Sequence, residues 1–187
     1  YPIGEPYKLC TFSRVMKEKG IGDAVEAVKS INRKLGRTAF ELDIYGQIDE
    51  GQVEWFDELK ASFPEYIRYK GLVPFDRSVE VLKNYAALLF PTFYDGEGFA
   101  GTIIDSFAAG VPVVSSDWKY NAEIIQPHIN GILFETKSKT ALMESLKYIY
   151  ENIDAFNGMK ENCLKKAEKY SPQNAMRPLL NKLTKYG

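Results

Sequence analysis

Histidine and cysteine are scarce in this chain. One histidine, His128, stands among 187 residues. Neither a His-rich metal site nor an easy Ser-His-Asp triad can be built from it. Two cysteines, Cys10 and Cys163, are too few for a disulfide scaffold and fit a reducing compartment. Long apolar runs are missing as well. The run from Ala86 to Phe90 stops at Pro91, far short of the ~20 residues a bilayer demands. Nor is there an excess of positive charge. Lys and Arg total 24 against 25 Asp and Glu, a formal net charge of -1. That excludes a surface built to displace counterions from nucleic acid. What is present is apolar bulk. With 45% hydrophobic and 26% charged residues, the chain can bury a core and is not disordered. Its length suits one domain, or a large domain cut from something bigger.

Tyr1-Pro2-Ile3-Gly4-Glu5-Pro6 is a Pro/Gly connector with neither a cationic start nor an apolar signal core. Residues 1–7 are expected to join this domain to a preceding one. Beyond them, short apolar runs alternate with helical spacing. Strands are expected at Lys8 to Ser13, Phe40 to Tyr45, Tyr66 to Tyr69, Ala87 to Phe90, Val111 to Ser115 and Gly131 to Phe134. Helices are expected at Asp23 to Leu35 (with Asp23 as cap), Val53 to Phe63, Arg77 to Tyr85, Thr102 to Ala109 and Asn121 to Ile125. Three more follow, from Lys139 to Glu151, Asp154 to Tyr170 and Pro172 to Lys185. Such alternation means a mostly parallel sheet covered on both faces, a doubly wound α/β domain. Ligands of these sheets sit at the carboxyl ends of the strands, where the strand order reverses.

Two post-strand loops carry the chemistry. After the first strand come Arg14 and Lys19, the latter just before a helix. Two cations beside a helix N-terminus suit a diphosphate. After the fourth strand comes Thr92 to Thr102, with three glycines before the next helix. Backbone can approach a ligand closely there, and free helix amides would point at it. Gly96 to Gly101 satisfies G-x-G-x-x-G, a weak sign of a dinucleotide fold. However, the loop follows about four strands rather than the first. Asp95 and Glu97 would also repel a pyrophosphate. Glu97 and Asp105, with seven residues between them, suit a nucleotide sugar better. Asp105 is expected in the first turn of the helix. One acid would hold sugar hydroxyls, the amides the phosphates, and the other acid the ribose. Solvated loop charge (Glu97) and helix-dipole placement (Asp105) are the plainer readings of each acid taken alone.

These segments resemble the C-terminal half of a retaining GT-B glycosyltransferase of family 4. The resemblance rests on Ser13-Arg14 with Lys19-Gly20, on Leu42 to Gly46, and on Tyr69-Lys70-Gly71-Leu72. Its most specific part is Glu97 to Asp105, followed by Ala108-Ala109-Gly110 and Val111-Pro112-Val113-Val114. Glu123 and Asn130-Gly131 complete it. It implies a Rossmann-like doubly wound sheet, the donor-binding half of a GT-B fold. Arg14 and Lys19 would then neutralise the donor diphosphate, and Glu97 would bind the transferred sugar. Backbone at Gly98, Phe99, Ala100, Gly101, Thr102 and Ile103 would contact sugar and phosphate. Asp105 would bind ribose, although the family carries Glu there, and Leu72 would lie by the base. Ala100 stands where Gly or Pro is common.

The Asp117 to Asn121 stretch resembles the exopolysaccharide and capsule members most. The resemblance further implies a UDP- or GDP-sugar donor, a glycan or lipid-linked acceptor, and no metal or other cofactor. It also implies a cytoplasmic setting, with peripheral contact at the inner face of the membrane. An N-terminal acceptor domain outside this chain is expected, and this half alone is expected to be inactive. Two alternatives stand beside it: a GT-B nucleotide-sugar epimerase, and a non-catalytic Rossmann-like module for NAD or another nucleotide. Asp95-Gly96-Glu97 is read as loop rather than as a D-x-D metal motif. His128 is read as a surface loop residue, and Cys10 and Cys163 as core. Trp118 and Tyr120 are left between substrate entrance and loop packing.

Overall fold

The computed structural model describes residues 4–171. Six strands form one sheet: β1 (Tyr7–Phe12), β2 (Phe40–Tyr45), β3 (Ile67–Gly71), β4 (Ala87–Phe90), β5 (Val113–Ser116) and β6 (Gly131–Phe134). Their order is β3-β2-β1-β4-β5-β6 and every neighbouring pair is parallel. The helices are α1 (Ile21–Leu35), α2 (Val53–Ala61), α3 (Ser78–Leu82), α4 (Gly101–Ala108), α5 (Asn121–Ile124), α6 (Lys139–Glu151) and α7 (Ile153–Glu168). Outside the edge strand β3, most strand residues are buried because both faces of the sheet are covered. Leu9, Leu42 and Leu89 pack in one layer with Ile31 of α1, Phe56 of α2 and Leu146 of α6. Cys10, Leu88 and Phe90 pack in the other with Leu82 of α3, Phe107 of α4 and Cys163 of α7. This is the Rossmann-like doubly wound α/β fold that the strand–helix alternation predicts.

A buried polar network ties β2 and β3 to the residues just before β4. The Asp43 carboxylate accepts from Arg68 Nε and from the Tyr85 hydroxyl, both at 2.8 Å. Tyr85 is within 2.7 Å of the Tyr45 hydroxyl. Burial, and then its bonds with Tyr45 and Asp43, push the Tyr85 hydroxyl far above the usual tyrosine range, so it remains a donor. Both thiols lie in the core, as expected. Burial raises Cys10 and pushes Cys163 up to about 12.

Strand order reverses between β1 and β4, so the loops leaving those strands flank one crevice. Two glycines make this packing possible. Gly20 has φ 70°, and a Cβ there would stand 2.1 Å from the Pro91 carbonyl oxygen. At Gly46, φ 139°, a Cβ would stand 1.7 Å from the Ser13 carbonyl oxygen. The turn after β1 therefore touches those after β4 and β2 through bare backbone.

Several boundaries differ from expectation. Helix α1 starts at Ile21 with Gly20 as its cap, so Asp23 lies in the first turn and does not cap it. The left-handed turn at Gly20, required by contact with Pro91, starts the helix early. Helix α4 begins at Gly101, which puts Asp105 beyond its first turn. Strand β5 starts at Val113 rather than Val111, although the Pro112 carbonyl still accepts from Leu88 N at 3.1 Å. Helix α3 ends at Leu82, yet Tyr85 points inward as expected because Asp43 holds it. Tyr7, expected in the connector, belongs to β1. The helix expected from Pro172 lies outside the described residues.

Gly20→Ala is expected to lower stability by ~2 kcal/mol or more, from left-handed strain plus overlap with Pro91. Urea unfolding of the two forms checks this.

Candidate functional site

At the switch point, the crevice opens into a cavity of about 330 Å³. Arg14 and Lys19 line it from the β1 side, and Glu97, Phe99, Ala100, Gly101 and Thr102 from the β4 side. Phe12, Met16, Phe90 and Tyr94 supply apolar wall. A larger hollow of about 490 Å³, beside Lys29, Arg33 and Arg37, lies at the amino ends of the strands. Doubly wound sheets do not place their ligands at that end.

Lys19 closes the 3-10 turn Lys17–Lys19, and its ammonium stands 2.7 Å from Glu97 Oε2. The side chains are only 12% and 9% exposed, so Glu97 is not a solvated loop charge. The Lys19 ammonium also lies over the Tyr94 ring, 4.9 Å from its centre. Thr92 Oγ1 donates to the same Oε2 at 2.6 Å and accepts from Tyr94 N at 3.2 Å. Arg14 behaves differently. It is 61% exposed and only 3.6 Å from Asp49 Oδ2, a loose surface pair worth ~0–1 kcal/mol. Its guanidinium is therefore available to an incoming anion.

Opposite the cations lies the start of α4. Ala100 is its N-cap and no side chain caps it, so its first amides face outward with the positive end of the helix dipole. Thr102 Oγ1 is buried with no hydrogen-bond partner among the described residues. Around Gly98 and Gly101, no heavy atom comes within 4 Å of where a Cβ would be. Ile103 stands back: its side chain is buried and its amide donates to the Ala100 carbonyl at 3.0 Å.

The second acid faces elsewhere. Asp105 Oδ2 accepts from Ser78 Oγ at 2.7 Å, on α3. It is thus turned toward the connection that carries Leu72, which is 68% exposed and follows Gly71 at φ 75°. Leu72, Gly98, Ile103 and Asp105 are not part of the cavity wall. Arg14, Lys19 and Glu97 are brought together, and Asp105 forms a separate station beside α3.

Asp95 and Glu97 take different partners. Asp95, 91% exposed, lies 3.7 Å from Lys119 Nζ, whereas Glu97 meets Lys19. Among the described residues, no group of three His, Cys, Asp or Glu side chains is placed to hold a metal ion. His128 is exposed at φ 58°, its ring against Tyr148 at 4.9 Å, which makes it a surface loop residue. Trp118 has a packing role: its indole N–H donates to the Tyr94 carbonyl at 2.8 Å. Sequence reasoning did not single out Thr92 or Ser78. Thr92 had one signal, a hydroxyl two residues after the strand at the switch point. Ser78 had none, because it meets Asp105 across 27 residues of chain.

Residues 6–152 match the family model for glycosyl transferases group 1. Over 72% of its length, the chain is 31% identical to the GtfA subunit of the UDP-N-acetylglucosamine–peptide N-acetylglucosaminyltransferase of Streptococcus pneumoniae, covering 25% of that protein. It is 25% identical to the amylovoran biosynthesis glycosyltransferase AmsK of Erwinia amylovora, over 70% of this chain and 33% of that one. The chain thus spans between a quarter and a third of these relatives. Its fold matches the crystal structure of the C-terminal domain of LpcC, a glycosyl transferase group 1 family protein from Francisella tularensis. There the TM-score is 0.77 at 20% identity, covering 89% of this chain and 87% of that one. Other solved structures with this fold hold UDP, some with glucose or N-acetylglucosamine beside it. A doubly wound sheet with this crevice, matched by the family model over most of its length, places the chain in the glycosyl transferases group 1 family.

Proposed function

We propose that this chain is the donor-binding domain of a retaining, metal-independent glycosyltransferase. It moves a hexose-type sugar from a UDP- or GDP-linked donor to a glycan or lipid-linked acceptor. The observation that carries this reading is the cavity at the switch point. One wall carries Arg14 and Lys19, and the facing wall carries Glu97 and the uncapped start of α4. That combination suits a sugar diphosphate, with cations and amides for phosphate oxygens and a carboxylate for hydroxyls.

Departure of the nucleoside diphosphate leaves growing negative charge on its terminal phosphate. Arg14, Lys19 and the Gly101 and Thr102 amides stabilise that charge more in the transition state than in the bound donor, which is what accelerates the step. They take the place of a divalent cation. Glu97 accepts from sugar hydroxyls and orients the transferred ring. Asp105, held by Ser78, faces the ribose, with Leu72 near the base. Acceptor binding falls to a further domain of the protein. The match to AmsK supports a polysaccharide acceptor, and the UDP donor in GtfA's name supports UDP over GDP. We place the reaction in the cytoplasm or at the inner face of the membrane. Relatives named as transferases favour transfer over epimerisation, and the carboxylate in the Gly96 to Gly101 loop weighs against NAD.

Isothermal titration is expected to show UDP or GDP binding. No binding of UDP, GDP or ADP to the folded protein sinks the proposal. Arg14→Ala is expected to leave stability within ~0.5 kcal/mol, because Arg14 is exposed and loosely paired. The same change should lower transfer by the full-length enzyme about tenfold or more; unchanged turnover would remove Arg14 from the diphosphate site. Gly101→Ala meets no neighbouring atom and should not destabilise the fold. Its added methyl enters the space reserved for the donor, so nucleotide affinity should fall. Melting and titration of the same sample separate the two effects.

A further inference from the structure

Glu97 has two carboxylate oxygens, and the surroundings treat them unequally. Oε2 receives the Lys19 ammonium at 2.7 Å and the Thr92 hydroxyl at 2.6 Å. No hydrogen bond to Oε1 is present among the described residues, and Glu97 lines the cavity. Thr92 itself is fully buried and directly follows Pro91 at the end of β4. Its carbonyl accepts from Ser116 Oγ at 2.5 Å, which anchors it to β5. Its Oγ1 accepts from Tyr94 N–H at 3.2 Å. A hydroxyl has a single hydrogen to give. With one lone pair engaged by Tyr94, that hydrogen goes to the carboxylate at a charge-assisted distance. The Glu18 carbonyl, at 3.4 Å, is the weaker competitor.

We propose that Thr92 is the positioning residue for Glu97. By holding Oε2 from the side opposite to solvent, it fixes rotation of the carboxylate and presents Oε1 to the donor sugar. Lys19 alone is insufficient for this. An ammonium on a flexible stem follows a carboxylate wherever it turns, whereas a hydroxyl on a buried, doubly anchored residue does not move with it. Thr92 thereby sets recognition of the sugar without touching the diphosphate.

This inference rests on the nucleotide-sugar reading, and its test separates the two. The probes are UDP and UDP-N-acetylglucosamine, with GDP and GDP-mannose alongside, titrated into the unmodified protein, Thr92→Val and Thr92→Ser. Valine keeps the shape and removes the hydroxyl, while serine keeps the hydroxyl. The expected result for Thr92→Val is nucleoside diphosphate affinity within twofold of the unmodified protein, with nucleotide-sugar affinity lowered about tenfold, ~1.4 kcal/mol. Thr92→Ser should keep nucleotide-sugar affinity near that of the unmodified protein. In a Glu97→Gln background, Thr92→Val should add little, since the two act as one unit. Equal weakening of diphosphate and nucleotide sugar, or no change in either, overturns the role of Thr92 and leaves the nucleotide site standing. Absence of any nucleotide binding by the unmodified protein overturns both. Thr92→Ala gives the same comparison where valine does not fold.

Discussion

Contact between Lys19 and Glu97 joins the two halves of the sheet at its functional end. One residue comes from the loop after β1 and the other from the loop after β4, 78 positions later. A nearly buried ion pair is stabilising only where further groups help to offset desolvation. Here a hydroxyl from Thr92 and the face of Tyr94 supply that help. Charge on this surface is therefore organised locally. A chain of net charge -1 can still present a cationic wall, because Arg14 and Lys19 are aimed at one place rather than spread over a face.

Around this contact, the frame is rigid for reasons of backbone proximity. Gly20 lies against Pro91 and Gly46 against Ser13 at distances that no side chain would permit. Trp118 and Ser116, from the β5 end, fasten the Tyr94 and Thr92 carbonyls. Each strand end at the crevice is thus tied to its neighbour. Gly101, which lines the cavity, and Gly98 in the loop before it are free of such contacts.

The sheet was legible in the sequence because most of its strands are short apolar runs, some closed by Gly or Pro, as at Phe90-Pro91 and Tyr45-Gly46. Parallel pairing on both faces demands that pattern. Helix starts were less legible. Asp23 has the chemistry of a cap, but the turn at Gly20 is set by Pro91, 71 positions away, which no local signal reports. The same limit applies to the site. Arg14, Lys19 and Glu97 could be singled out from their loops, and the fold brings them to one cavity. That Lys19 and Glu97 pair with each other, that Ser78 holds Asp105, and that Thr92 sits on the same oxygen as Lys19 are facts of tertiary contact. Trp118 shows the converse: an aromatic beside a suspected entrance turned out to be a clasp for a neighbouring loop.

Strand β1 lies at the centre of the sheet yet is the earliest of its six strands. Its partner β2 follows at once, but its other partner is β4, which begins at Ala87. During synthesis one edge of β1 waits, unpaired and apolar, while the 74 residues between Phe12 and Ala87 are made. Pairing of such distant segments is slow, and an open edge meanwhile invites wrong partners. The crevice that holds the charged residues is thus also the seam closed by the strand pairing most distant in sequence.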